Sequence, residues 1–457
     1  MLIVAMMGMM LGLACVLALA SPWPWLAPMV IGALAVVAFL YRRPGWGLLG
    51  LVVLVPLEGL FKELAFSPAK FLGASLIGIL LMQLLLRQLP EGRARSNLWP
   101  LLLLFLLWVG LSFLFSSNHP ASLGNLRELL IGMTLFGIVL LVGRDLPLLP
   151  LCRLLVISVA ATCLIALFSA RHQVQGRAVG LLQDANYFAL LITVAMPLAV
   201  LLAMRARHWL TRLLWLGLGV VLLAGMTRTD SRSGLVVLLL ALLVGLWHHR
   251  ARLARIRPRH LGFIMLGAAL LVPLGLMSVP DDYVERIKSL SILRSGVNAH
   301  QDASLGRRAS YLLVGGEMIR EDPVFGGGPG TFALRYATTG YAKAFSDSSD
   351  SLDIYRRAHN TYLEIFAEMG IPAGLLFLAL LLMGWRNFER ARRAWLDRGE
   401  RELADLVVHL GLAFFSMTLF LLFLSVPNHK LLWLLLGLSW VLRQQAESGG
   451  PAEVRSA

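Results

Sequence analysis

Apolar runs recur along the whole chain, most of them near the roughly 20 residues that carry a helix across about 30 Å of hydrocarbon. They fall at 1–20, 24–41, 45–61, 71–86, 98–116, 129–143, 154–170, 187–204, 209–226, 233–249, 261–279, 369–385, 406–425 and 431–442. The pattern predicts an all-α fold, a polytopic transmembrane helix bundle of about 12–14 spans. The first run ends Ala18-Leu19-Ala20-Ser21, which resembles a signal-peptidase site. It lacks a basic leader and runs almost directly into the second run, so it reads as a helix. The long break in the pattern is 280–368. Within it, 304–321 carries apolar residues at helical spacing and predicts a helix lying on the membrane surface. Pro323 and the run Gly326-Gly327-Gly328-Pro329-Gly330 end that helix in a tight loop that lets backbone approach the membrane or a substrate closely. A second helix is expected to begin near His359 and lead into 369–385. The chain thus divides into N-terminal spans (1–170), central spans with polar outer loops (171–279), a long loop with short helices (280–368), and C-terminal spans with a tail (369–457).

Composition narrows the class. Of 457 residues, 58% are hydrophobic and 15% charged, against roughly a quarter charged in soluble domains. A soluble protein is excluded. The formal charge of +15 comes largely from arginines in every second loop: Arg42/Arg43, Arg87/Arg93/Arg95, Arg144/Arg153, Arg205/Arg207, Arg250–Arg259 and Arg386–Arg393. That alternation puts those loops and both termini in the cytoplasm, and 171–186, 227–232 and 280–368 on the outer face. The basic runs therefore read as topology signals and contacts to anionic membrane lipids, with no nucleic-acid partner. Cys15, Cys152 and Cys163 sit in apolar runs without metal spacing and read as small buried residues.

Arginine in outer loops runs against the charge rule and asks for a reason. Arg177 lies just before a span, Arg232 opens one, and Arg307 and Arg308 open the helix at 304–321. Guanidinium groups bind phosphate bidentately at any relevant pH, and helix N-termini add backbone donors for the same anion. Together they suggest a diphosphate cradle; singly, each arginine could equally pair with a lipid headgroup or with Asp184 or Asp230. His359 stands where a polar cluster meets an apolar helix, with Asn360 beside it to cap the helix or orient the imidazole and Glu364 about one turn on. A neutral imidazole there suits a general base. Asp281-Asp282 and Asp347/Asp350/Asp353 lack the ligand density and glycine of a Ca²⁺ loop and read as solvated acidic loops. The glycine run is not followed by Gly-Lys-Ser/Thr and is not a phosphate-binding loop. No metal and no cofactor is expected.

These motifs, taken in order, resemble the bacterial O-antigen ligase and polymerase superfamily. The resemblance rests on Gly176-Arg177-Ala178-Val179-Gly180 with Asp184-Ala185-Asn186, and on Ser231-Arg232-Ser233-Gly234. It continues through Arg307-x-x-x-Tyr311 and Glu321-Asp322-Pro323 with the glycine run, and closes on His359-Asn360-Thr361-Tyr362-Leu363-Glu364. It implies a metal-independent, inverting glycosyl transfer on the outer face of the inner membrane, from a glycan on undecaprenyl diphosphate to a saccharide acceptor such as the lipid A core. In that reading His359 takes the acceptor's proton, while Arg177, Arg232 and Arg307 hold the diphosphate. Register with Tyr311 favours Arg307 over Arg308, and Asn186, Tyr311, Asn360 and Glu364 support the site. A polymerase of the same superfamily, with a second lipid-linked repeat as acceptor, carries the same motifs. A small-anion transporter would also want buried arginines, but it would place broken or charged segments at mid-membrane and pair its two halves, which this chain does not.

Overall fold

The computed structural model describes residues 26–61, 67–90, 92–174, 176–182, 184–253, 303–345 and 354–448, with scattered positions in 9–22. The expected span at 261–279 and the acidic residues Asp281, Asp282, Asp347, Asp350 and Asp353 lie outside the described residues, and the run at 1–20 is described only in part.

Helices dominate. In chain order they are α1 (Leu26–Arg42), α2 (Pro44–Leu54, continued as a 3-10 helix over Val55–Phe61), α3 (Pro68–Leu85), α4 (Trp99–Leu114), α5 (His119–Val142), α6 (Leu148–Phe168), α7 (Ala185–Arg205), α8 (Trp209–Thr229) and α9 (Arg232–Leu253). After the undescribed segment come α10 (Ala303–Glu321), α11 (Phe332–Ala337), α12 (Gly340–Ala344), α13 (Thr361–Asp397), α14 (Arg401–Phe420) and α15 (Lys430–Ser448). Among the described residues, nine helices are long and apolar enough to cross a membrane, and α1 and α4 are shorter apolar helices. The chain is a multi-pass all-α membrane protein. From 24–41 onward, every expected apolar run within the described residues coincides with a helix.

Polar side chains start these helices where the hydrophobic pattern begins. Ser67, Asn118, Asp184 and Asn360 each accept a hydrogen bond from a backbone N–H of the first turn they precede, meeting donors that have no partner within the helix. The cap at Asn118 begins α5 ten residues before the apolar run proper, because Pro120 suits a first turn and nothing between breaks the helix. At the other extreme, α13 covers 37 residues, in two helical stretches that meet at a kink at Gly370, whose backbone (φ 82°, ψ 169°) is not helical. The arginines at 386–393, expected in a loop, extend it instead, held by Glu389 pairing with Arg392 at 2.7 Å and Arg393 at 2.6 Å.

Two helices form the centre. The apolar windows of α7 and α14 are each 78% buried, against 17% for α8 and 22% for α3 and α9, which present leucines outward. α7 packs on α6, α8, α9 and α14; α13 packs on α4, α10, α14 and α15. α14 therefore joins the two groups, and the elements bearing the candidate site hang on them. The helix expected on the membrane surface, α10, turns Tyr311, Val314 and Met318 into a small separate core with Phe332, Tyr336, Ala358 and Ala367, and leaves Leu312 and Leu313 exposed. Its seat is the start of α13.

Candidate active site

The turn before α13 is held from both sides. Asn360 accepts from the Leu363 N–H at 3.1 Å, capping the helix. Glu364, buried, forms an ion pair with Arg357 and accepts from the Ala358 N–H at 3.3 Å. Thr361 donates its backbone N–H to the Leu421 carbonyl at 2.8 Å and its hydroxyl to the Leu424 carbonyl at 2.5 Å, tying the turn to the end of α14. Between these anchors His359 sits at φ 48°, in the left-handed region that residues with a side chain adopt uncommonly. Such a conformation persists where its surroundings over-determine it, and it clusters at functional sites.

The imidazole of His359 stacks on Tyr311 of α10, with ring centroids 5.8 Å apart and planes 25° apart. Tyr311 also meets Tyr336 edge-on at 4.9 Å. Arg307 and Arg308 flank it on the same helix. Burial lowers the His359 imidazole below its ordinary value; Arg308 and, more weakly, Arg356 reinforce this, while Asp184 and Glu364 oppose it. Burial likewise pushes the Tyr311 phenol up, with Arg356 and Arg307 acting against it. Each arginine of the doublet thus has its own neighbour: Arg308 acts on the imidazole and Arg307 on the phenol. A positive charge on the ring is disfavoured both by poor solvation and by Arg308 and Arg356.

A second group of candidate residues lies at the corner between α8 and α9. Arg177 lies on a hairpin of two short strands, Gln173–Val174 and Arg177–Ala178, paired antiparallel with Val174 opposite Arg177. This ladder is the one strand pair among the described residues, and the alternation of spans gave no sign of it. Its guanidinium donates from Nε to the Thr229 carbonyl at 2.9 Å and from Nη2 to the Asp230 carbonyl at 3.4 Å. It thereby caps the end of α8, where a cation also meets the negative end of the helix dipole. Asp230, left-handed at φ 52°, turns the chain into α9, which Arg232 opens. Ser231 donates to Asn186 Oδ1 at 2.8 Å, joining this corner to the start of α7. Asp184, two residues earlier, caps α7 and is, with Glu364, an acidic group whose charge reaches His359. The structure therefore ties Arg177 and Asn186 to the corner that Arg232 follows, and the charge of Asp184, beside Asn186, acts on His359.

One contributor lies outside the residues selected from the sequence. Glu368, buried on α13, accepts from the Gly330 N–H at 2.7 Å and the Phe332 N–H at 2.9 Å, capping α11 with a carboxylate. The glycine run is likewise clasped to protein. Gly328 donates to the Glu368 carbonyl at 2.8 Å and Ile371 to the Pro323 carbonyl at 2.8 Å. Gly326 (φ 68°) and Gly370 (φ 82°) both lie in the left-handed region, and a Cβ on Gly370 would stand 2.0 Å from the Val324 carbonyl oxygen. The close approach that these glycines allow is between two stretches of this chain.

A model of the O-antigen ligase family matches residues 217–378 of the chain. The match runs from α8 into α13 and contains Arg232, Arg307, Tyr311, His359, Asn360 and Glu364; Arg177 and Asn186 precede it. No curated protein matches the chain.

Proposed function

We propose that the chain is a glycosyltransferase of the ligase type, working at the outer face of the bacterial inner membrane. It moves a glycan from undecaprenyl diphosphate to a saccharide acceptor, with the lipid A core the leading candidate. The observation that carries this reading is the half-buried imidazole of His359, stacked on Tyr311, whose charged form burial and Arg308 disfavour. A glycosyl transfer needs a base that is unprotonated before reaction, and guanidinium groups that can offset a departing diphosphate.

In the proposed step the acceptor hydroxyl gives its proton to His359 while its oxygen attacks the anomeric carbon. The bond from that carbon to the diphosphate oxygen breaks, and the anomeric centre inverts. The lipid diphosphate leaves with one more negative charge than it had as an ester. Arg232, Arg307 and Arg177 are assigned to that charge, with Arg308 close enough to the base to share the role. Two nitrogens of Arg177 are engaged on backbone carbonyls, so it doubles as a strap on the corner that presents Arg232. Asn360 and Glu364 hold the turn that aims the base, and Asn186 and Tyr311 position the elements around it. With cations of this kind at the leaving group, initial rates should be the same with and without EDTA.

The test is the lipopolysaccharide profile of a deletion strain. Loss of capped core with lipid-linked polymer accumulating supports the ligase. Core capped by single repeats assigns the chain to polymerisation, and an unchanged profile removes it from this pathway class.

A further inference from the structure

A second cluster of chemically able side chains lies away from the proposed site. The last turns of α9 and the first turns of α14 bring together His248, His249 and Asp405, all half-buried, with one ligand atom from each lying within 4.8 Å of the other two. They stand at the opposite end of the bundle from His359. His248 is about 24 Å along α9 from Arg232 at 1.5 Å per residue, while α14 runs the other way and its end meets Thr361. His409, one turn beyond Asp405, is buried with its ring 5.2 Å from that of His249. Its Nδ1 lies 2.8 Å from the Asp405 carbonyl oxygen. A carbonyl only accepts, so Nδ1 carries the hydrogen and Nε2 keeps a lone pair.

From this geometry we infer that His248, His249 and Asp405 form a binding site for a first-row divalent cation of the zinc type, which cross-links α9 to α14. Two imidazole nitrogens and one carboxylate suit such an ion and disfavour Mg²⁺ and Ca²⁺, which take oxygen ligands. A tetrahedral ion with bonds of about 2.0–2.1 Å holds its ligand atoms about 3.4 Å apart, a closure from the observed spread that side-chain rotation can supply. His409 stands next to the site with its tautomer already set, as an outer-shell neighbour or a fourth ligand. The site has a plain structural use. α9 is only 22% buried along its apolar window while α14 is 78% buried, so a shared ion would fasten a peripheral helix to a central one just before the undescribed segment. It takes no part in glycosyl transfer.

The experiment uses the full-length, untagged protein in detergent, stripped with EDTA and then exchanged into chelator-free buffer. Zn²⁺ alone is titrated, with Mg²⁺ as a second arm. Expected are saturable uptake near one Zn²⁺ per chain and a rise in melting temperature with Zn²⁺ concentration, because an ion that binds only the folded state stabilises it. His249→Ala and Asp405→Asn should elute and melt like the stripped wild type. They should weaken Zn²⁺ binding by more than the roughly 10–100-fold that losing an outer-shell partner costs, and they should keep the wild-type transfer rate. A melting shift with Mg²⁺ equal to that with Zn²⁺ would overturn the assignment, as would uptake undiminished in both variants. No saturable uptake at all would mean that the cluster is only an imidazole–carboxylate contact.

Discussion

His359 combines a left-handed backbone, a stacked ring and a suppressed charge, and the three have linked consequences. Because its imidazole is lowered, the base form that the proposed step requires persists to lower pH, and the acidic limb of the rate profile should fall below the ordinary histidine value of about 6.5. Removing a cation that lowers it raises it: Arg308→Gln should move the acidic limb to higher pH. Removing an anion that raises it does the reverse, so Asp184→Asn should move the limb to lower pH. The pH dependence of kcat/KM in the two variants checks both signs, and parallel shifts would remove His359 from the titration. Arg232→Ala should cost about 10²–10³-fold in turnover, the scale of losing one donor to developing charge. Arg232→Lys should fall between, since it keeps the charge and loses the fork, whereas Arg390→Ala at the far end of α13 should be near neutral. At this scale the candidate site was proposed from the chain, because loop arginines and a histidine at a polar seam stand out against an apolar background. The roles of Glu368 and of Arg177 as a strap could not, since both depend on backbone groups 36 to 53 residues away.

Between elements, the mutual approach of the 323–330 loop and the start of α13 is the joint on which the site depends. Gly370→Ala would place a methyl group 2.0 Å from the Val324 carbonyl oxygen at φ 82°. The backbone conformation alone costs about 1–3 kcal/mol for a residue with a side chain, and the clash adds to it. The variant should melt earlier or accumulate poorly, as thermal denaturation and membrane yield would show, whereas Gly340→Ala, which meets nothing within 4 Å, should behave as wild type. Glu368→Gln should also destabilise, by about 1–3 kcal/mol, because the amide nitrogen that replaces one carboxyl oxygen cannot accept and leaves a buried backbone N–H without its partner, without the pH shift expected of Arg308→Gln. The spans were legible because twenty apolar residues have one outcome in a bilayer. Helix ends were less so. The hydrophobic pattern stops at the membrane surface, while caps such as Asn118 and paired charges such as Glu389–Arg392 carry the helix beyond it.

For the molecule as a whole, the alternation of arginines sets an orientation that the packing neither requires nor forbids. A reporter fused after Arg255 should lie in the cytoplasm and one fused after Asp350 outside it, and both on one side would dismantle the proposed site. The two-centred packing, with α14 shared between α7 and α13, holds the arginine corner and the histidine turn on one scaffold. The proposed metal cluster sits at the other end of that scaffold, so chelation should lower the melting temperature yet leave initial transfer rates alone. His248, His249 and Asp405 went unpaired at the sequence level because 155 residues separate the histidines from the aspartate, and only the α9–α14 contact joins them. The most direct measurement of the central claim is transfer by the purified chain from undecaprenyl-diphosphate-linked glycan to acceptor saccharide, wild type beside His359→Ala. The expected result is a folded variant that still binds the donor and turns over about 10²–10⁴-fold more slowly. A His359→Ala protein that retains most of the wild-type rate would contradict the account.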